Sequence, residues 1–124
     1  MAITKTTRTL IASATTVAAG STKTSPNVIG SSVDCTTFYG GDIVYKITNG
    51  SSAPTVQCAI TFQSSPDGTN WYDYFTIGGD TVANSVYSAT VPLDRSVMYL
   101  RAIAYGNVTN TVTVEAFLMA VSGI

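Results

Sequence analysis

Apolar and polar residues alternate along most of this chain, and the alternation is clearest between Val56 and Ile77. Val56, Cys58, Ile60 and Phe62 fall on one parity, and Gln57, Ala59, Thr61 and Gln63 on the other. A period of two sends successive side chains to opposite faces of a strand. The first set is therefore expected on a core and the second toward solvent or a partner. The run breaks at Ser64-Ser65-Pro66-Asp67-Gly68-Thr69-Asn70. Pro presets φ, Asp bonds its own backbone and Gly supplies positive φ, so this stretch predicts a turn. Trp71 to Ile77 then returns as the second arm of a hairpin. Trp71, the only tryptophan, is its expected buried anchor, and Pro66-Asp67-Gly68 its exposed tip.

Shorter runs repeat the pattern. Ile43, Tyr45 and Ile47 alternate with Val44, Lys46 and Thr48, and Val86 to Val91 alternates likewise. Val97 to Tyr105 is apolar or aromatic on both parities apart from Arg101, as in a strand covered on both sides. Thr111 to Val121 directs Val112, Val114, Ala116 and Leu118 inward, with a face-switching bulge expected near Phe117-Leu118-Met119. A first strand is expected over 6–17, where clustered β-branched threonines disfavour helix. Shorter strands are expected at Val28-Ile29 and within Ser31 to Phe38. Turn residues separate all these runs, and none has a helical period. The prediction is an all-β chain, an antiparallel β-sandwich of jelly-roll or immunoglobulin-like form with about seven or eight strands. One domain is expected overall, with residues 1–20 as an N-terminal edge strand or arm and 21–124 as the sandwich.

Composition narrows the function. At 124 residues the chain can bury a core without metals or disulfides. Only 10% of its residues are charged, against about 25% in an average domain. Such a surface has little repulsion to hold copies apart and suits packing against neighbours. The basic residues Lys5, Arg8, Lys23, Lys46, Arg95 and Arg101 are scattered, so no stripe for nucleic-acid phosphates exists. Nothing reads as a signal peptide or membrane span, so Cys35 and Cys58 are expected as free, buried thiols of a chain made in a reducing cytoplasm. There is no histidine, which removes the usual general base and any Ser-His-Asp or Cys-His unit. Two cysteines fall short of a zinc site. Asp67 with Asp73, or Asp80 with Asp94, are the remaining carboxylate pairs for hydrolytic chemistry, and solvated turn aspartates are the reading their positions favour. No enzymatic activity, cofactor, metal, nucleic acid or membrane contact is expected.

The segment SSPDGTNWYDY, Ser64 to Tyr74, contains the pattern S-x-D-G-x-x-W. It resembles a hairpin of discoidin-like, galactose-binding-like β-sandwich domains. Together with YGGDIVYKITNG, Tyr39 to Gly50, it is also similar to a group of small β-sandwich virion proteins of tailed bacteriophages, which match this chain better in size and composition. The phage resemblance implies a non-enzymatic structural protein of a phage particle, in capsid decoration or cement or as a head or neck accessory. Its location would be the virion, and its partners other capsid, neck or tail proteins and further copies in a homo-oligomer. The interaction residues expected are Pro66, Asp67, Gly68 and Asn70 at the tip with Tyr72 and Tyr74 beside it. Thr6, Thr7, Leu10 and Ile11 are expected in an N-terminal arm lying along a neighbour's sheet edge. The discoidin-like resemblance implies the alternative, a carbohydrate-binding module. There Trp71, Tyr72 and Tyr74 would stack on sugars while Asp67, Asn70 or Asp73 hydrogen-bond them.

Overall fold

The computed structural model describes residues 2–123. Among these residues nine strands form: β1 (Thr4–Val17), β2 (Val28–Ile29), β3 (Val33–Asp34), β4 (Gly41–Asn49), β5 (Ala59–Ser65), β6 (Tyr72–Gly78), β7 (Val86–Leu93), β8 (Tyr99–Tyr105) and β9 (Val112–Ser122). The architecture is the predicted antiparallel β-sandwich. Sheet A has the order β1-β9-β4-β7, and sheet B the order β2-β8-β5-β6 with β3 also paired to β8. No helix among the described residues is long and apolar enough to cross a membrane.

The pairing is nested. β5 pairs with β6, β4 with β7, β2 and β3 with β8, and β1 with β9. The chain thus runs as one long antiparallel hairpin whose successive rungs alternate between the sheets. Pairing of β4 with β9 and of β5 with β8 joins the rungs.

The alternation seen in the sequence decides which faces meet. Ile43, Tyr45 and Ile47 of β4 and Val112, Val114, Ala116 and Leu118 of β9 are at most 3% exposed. They face Ile60 and Phe62 of β5 and Leu100 of β8, each 0% exposed. Each buried Val, Leu, Ile or Phe among them contributes roughly 1.5–3 kcal/mol when removed from water. The face switch expected near Phe117–Met119 does not occur, because β4 pairs with β9 in unbroken register from Gly41↔Ala120 to Asn49↔Val112. The irregularities lie instead in the edge strand β1, whose register shifts between Thr9 and Ile11 and again between Ile11 and Thr15. An extra residue in one strand lets neighbouring side chains share a face, and Leu10 and Ile11 are both buried.

This geometry corrects the arm form of the N-terminal segment. Leu10 and Ile11 belong to this chain's own core at 0% and 2% exposure, so neither is available to a neighbour. The backbone at Leu10 also closes against the β2–β3 connection. A Cβ at Gly30 would stand 1.7 Å from the Leu10 carbonyl oxygen. The hairpin is corrected at one end as well. Val56 is 50% exposed and held by an isolated bridge to Val108, and regular pairing starts at Ala59.

Candidate functional site

The hairpin tip is a self-contained turn. Asp67 Oδ1 accepts from the Thr69 and Asn70 amides at 2.9 and 2.8 Å, and Oδ2 accepts from Asn70 Nδ2 at 2.8 Å. Ser65 Oγ accepts from the Gly68 amide at 2.8 Å and donates to Asp67 Oδ1 at 3.0 Å. Gly68 takes φ +78°, a conformation other residues adopt at a cost. The Asn70 and Thr69 amides, then the Asn70 and Ser65 side chains, hold the Asp67 carboxyl well below its ordinary range. Asp67 is therefore occupied with shaping the loop. Pro66 and Asn70 remain exposed on it.

The three aromatics after the tip do not share a surface. Tyr74 turns toward the core, touches Phe75 with ring centroids 5.4 Å apart, and accepts the Asp94 amide on its hydroxyl at 3.2 Å. Tyr72 stands 62% exposed. Trp71 is half-buried rather than buried, with the Arg101 guanidinium 4.4 Å from its ring centroid. The stacking platform expected of Trp71, Tyr72 and Tyr74 is therefore not assembled, and Trp71 is not the core anchor. That place belongs to Phe62 and Phe75, which stack at 4.7 Å.

What the hairpin builds instead is a polar row across the outer face of sheet B. Arg101 Nε donates to Gln63 Oε1 at 2.9 Å, Gln63 Nε2 donates to Asp73 Oδ1 at 3.0 Å, and Lys23 closes the row in an ion pair with Asp73. The Gln63 amide, then Lys23, lowers the Asp73 pKa, and burial lowers that of Arg101. Beside the row, Thr61 Oγ1 lies 2.9 Å from Thr76 Oγ1 and 2.8 Å from the Tyr105 hydroxyl. Thr61 and Gln63 were expected toward solvent or a partner, yet within this chain they are already 0% and 8% exposed. They sit on the central strand β5, where side chains of β6 and β8 close over them. Arg101 did carry a signal in the sequence, as the lone charge in an apolar strand. Lys23 carried none, since its partner lies 50 residues away.

Asp80, Asp94 and both thiols are likewise tied up locally. Asp80 Oδ2 accepts from Ser85 Oγ at 2.5 Å, while Oδ1 accepts from the Val82 amide and Asn49 Nδ2 at 3.1 and 2.9 Å. Asp94 Oδ1 accepts from the Ser96 amide at 2.8 Å. Neither Asp67 with Asp73 nor Asp80 with Asp94 forms a facing pair, because each carboxylate is bound within its own turn or strand row. Cys35 and Cys58 are free and buried. Burial, aided by the Asp34 charge, pushes the Cys35 thiol up to about 11, and burial pushes Cys58 up to about 12.

The outer face of sheet A is different in character. Phe117, Met119 and Val121 of β9 and Val44 of β4 alternate with the core residues and stand half-buried or exposed. Thr7 pairs opposite Met119 and Thr9 opposite Phe117, with Thr90 opposite Val44 on the other side. Thr6 shares the inward phase opposite Ala120. Lys46 and Glu115 form an ion pair of 3.4 Å on this outer face. No element among the described residues covers it.

No family model and no curated protein matches this chain. Solved structures do. A chain of the T13 infectious bursal disease virus particle aligns over 97% of this chain at TM-score 0.61 and 10% identity. The PBSX exported protein XepA aligns over 96% at TM-score 0.59 and 11% identity. The SPBc2 prophage-derived protein YomS aligns over 96% of both chains at 16% identity, with TM-score 0.48. This chain spans only 31% of the virus chain and 38% of XepA. At these identities the likeness is one of fold: the same sandwich occurs as one part of two longer proteins.

Proposed function

We propose that this chain is a non-enzymatic structural component of a virus or phage particle that works by packing its sandwich faces against other particle proteins. Capsid decoration or cement is the role it fits first, and a head or neck accessory the second. The observation that carries this reading is the outer face of sheet A. It presents an apolar row of Val44, Phe117, Met119 and Val121 between threonine-bearing strands, in a chain of which only 10% is charged. Contiguous exposed apolar surface rimmed by polar groups is typical of interaction sites. Two further points support it. We read the nested rungs as a jelly roll, the two-sheet arrangement used by viral capsid domains. The aligned structures also include a virus particle chain and a PBSX protein.

Particles assembled without this chain provide the test. Mixed with it and pelleted, they retain it, and Phe117→Asp at the centre of the apolar row lowers that retention by about tenfold or more. Wild-type chain left entirely in the supernatant refutes the reading.

A further inference from the structure

On the outer face of sheet A, β4 carries a pair of opposite charges that is complementary to itself. On β4, Asp42 and Lys46 lie on the solvent-facing parity, two residues either side of Val44. Val44 is the register partner of Phe117, so these two apolar side chains mark the middle of the face. Asp42 and Lys46 are four residues apart, about 13 Å along the strand, and each is about 7 Å from that middle. The opposite charges are therefore equidistant from an apolar centre.

We propose that this face binds a second copy of the chain about a two-fold axis running across the strands through Val44 and Phe117. The proposal deepens the packing reading above by naming one occupant of its apolar face. Rotation about that axis lays β4 over the partner's β4 in the reverse direction. Asp42 then meets the partner's Lys46, and Lys46 the partner's Asp42. A two-fold interface uses the same patch on both copies, so every such contact occurs twice. Face-to-face sheets stand about 10 Å apart, a gap that Phe117, Val44 and Met119 fill. Their strands cross at about 30°, which displaces each charge sideways by only about 3–4 Å, within reach of a lysine side chain. Lys46 is already held over the face by Glu115, so the dimer extends an existing pair into a three-charge row. An unrelated partner would have no need of opposite charges placed symmetrically about the apolar centre. A second copy does.

Sedimentation of the isolated chain from micromolar to high micromolar concentration tests this. The wild type is expected to pass from monomer to dimer. Asp42→Lys and Lys46→Asp each set like charges opposite one another twice, and each weakens self-association by about tenfold or more. Mixed in equal amounts, the two variants regain association. The introduced lysine of one then meets the introduced aspartate of the other, while the untouched Lys46 and Asp42 meet as before. Circular dichroism confirms that each variant is folded. Should one fail to fold, the wild-type concentration dependence and the other variant decide. A wild type monomeric throughout, a dimer indifferent to both substitutions, or a mixture that does not recover association overturns the proposal. Retention of a strictly monomeric wild type on particles would overturn the dimer alone and leave the packing reading standing. Self-association without any retention would do the reverse.

Discussion

Truncating Trp71 separates two accounts of the hairpin. From the pattern alone Trp71 is the buried anchor, and its loss would cost as much as any core aromatic. In the folded chain it is half-buried, and its defined contact is the Arg101 guanidinium 4.4 Å from the ring centroid. Such a contact is worth about 0.5–2 kcal/mol depending on desolvation. Adding the part of the ring that leaves water, Trp71→Ala should cost about 1–2 kcal/mol. Phe62 is 0% exposed and stacks on Phe75 at 4.7 Å, so Phe62→Ala should cost about 3–5 kcal/mol. With a urea dependence near ~2 kcal/mol/M, the midpoint falls by about 0.5–1 M for Trp71→Ala and about 1.5–2.5 M for Phe62→Ala. Far-UV circular dichroism should follow the melts, since Trp71→Ala removes the only tryptophan fluorophore. A double cycle with Arg101→Met checks the mechanism, because the two substitutions should be less than additive. Equal midpoint shifts for Trp71→Ala and Phe62→Ala, or strict additivity with Arg101→Met, would refute this reasoning.

Acid should destabilise the fold through its hydrogen-bonded aspartates. Asp34, Asp67, Asp73, Asp80 and Asp94 all have pKa values lowered from 3.8 by the hydrogen bonds they accept. Their contribution is present above about pH 4 and is lost as pH falls through the folded values. Urea melts from about pH 7 down to about pH 2 should show a falling limb that is shallower in Asp67→Asn, and an unchanged limb in that variant would count against the loop geometry. At the alkaline end the sign reverses in origin, because Cys35 and Cys58 are raised from 9.0 to about 11 and about 12. Stability should hold below about pH 9 and fall as pH rises toward those values, since only the unfolded chain releases the protons there. A double Cys→Ser chain with the same alkaline limb would contradict this. Gly30→Ala should destabilise by about 1–3 kcal/mol or more, because its Cβ meets the Leu10 carbonyl oxygen at 1.7 Å. Wild-type melting of that variant would mean that β1 does not close against the β2–β3 connection.

Most of the sandwich was legible in the chain, for a physical reason. A strand shows its two faces through a period of two, and burial of one face is a local property of each alternating run. That is why Val112, Val114, Ala116 and Leu118 could be placed inward from their spacing, and why Ile43, Tyr45 and Ile47 could be assigned to one common face. The turn at Ser65 to Asn70 was legible too, since Asp67 and Gly68 act on backbone atoms within three residues. Period and turn chemistry do not carry partnership between distant segments. Whether Trp71 would meet the core or Arg101 depended on the strand set beside it, and Lys23 found Asp73 only after the chain had returned to sheet B. Leu10 and Ile11 looked like part of an arm because the segment around them is rich in threonine and has few bulky apolar residues. Only pairing with β9 shows that a bulge turns both into the core. The outer face of sheet A is the extreme case. Val44 and Phe117 are 73 positions apart in sequence, and their joint exposure exists only once β4 and β9 lie side by side.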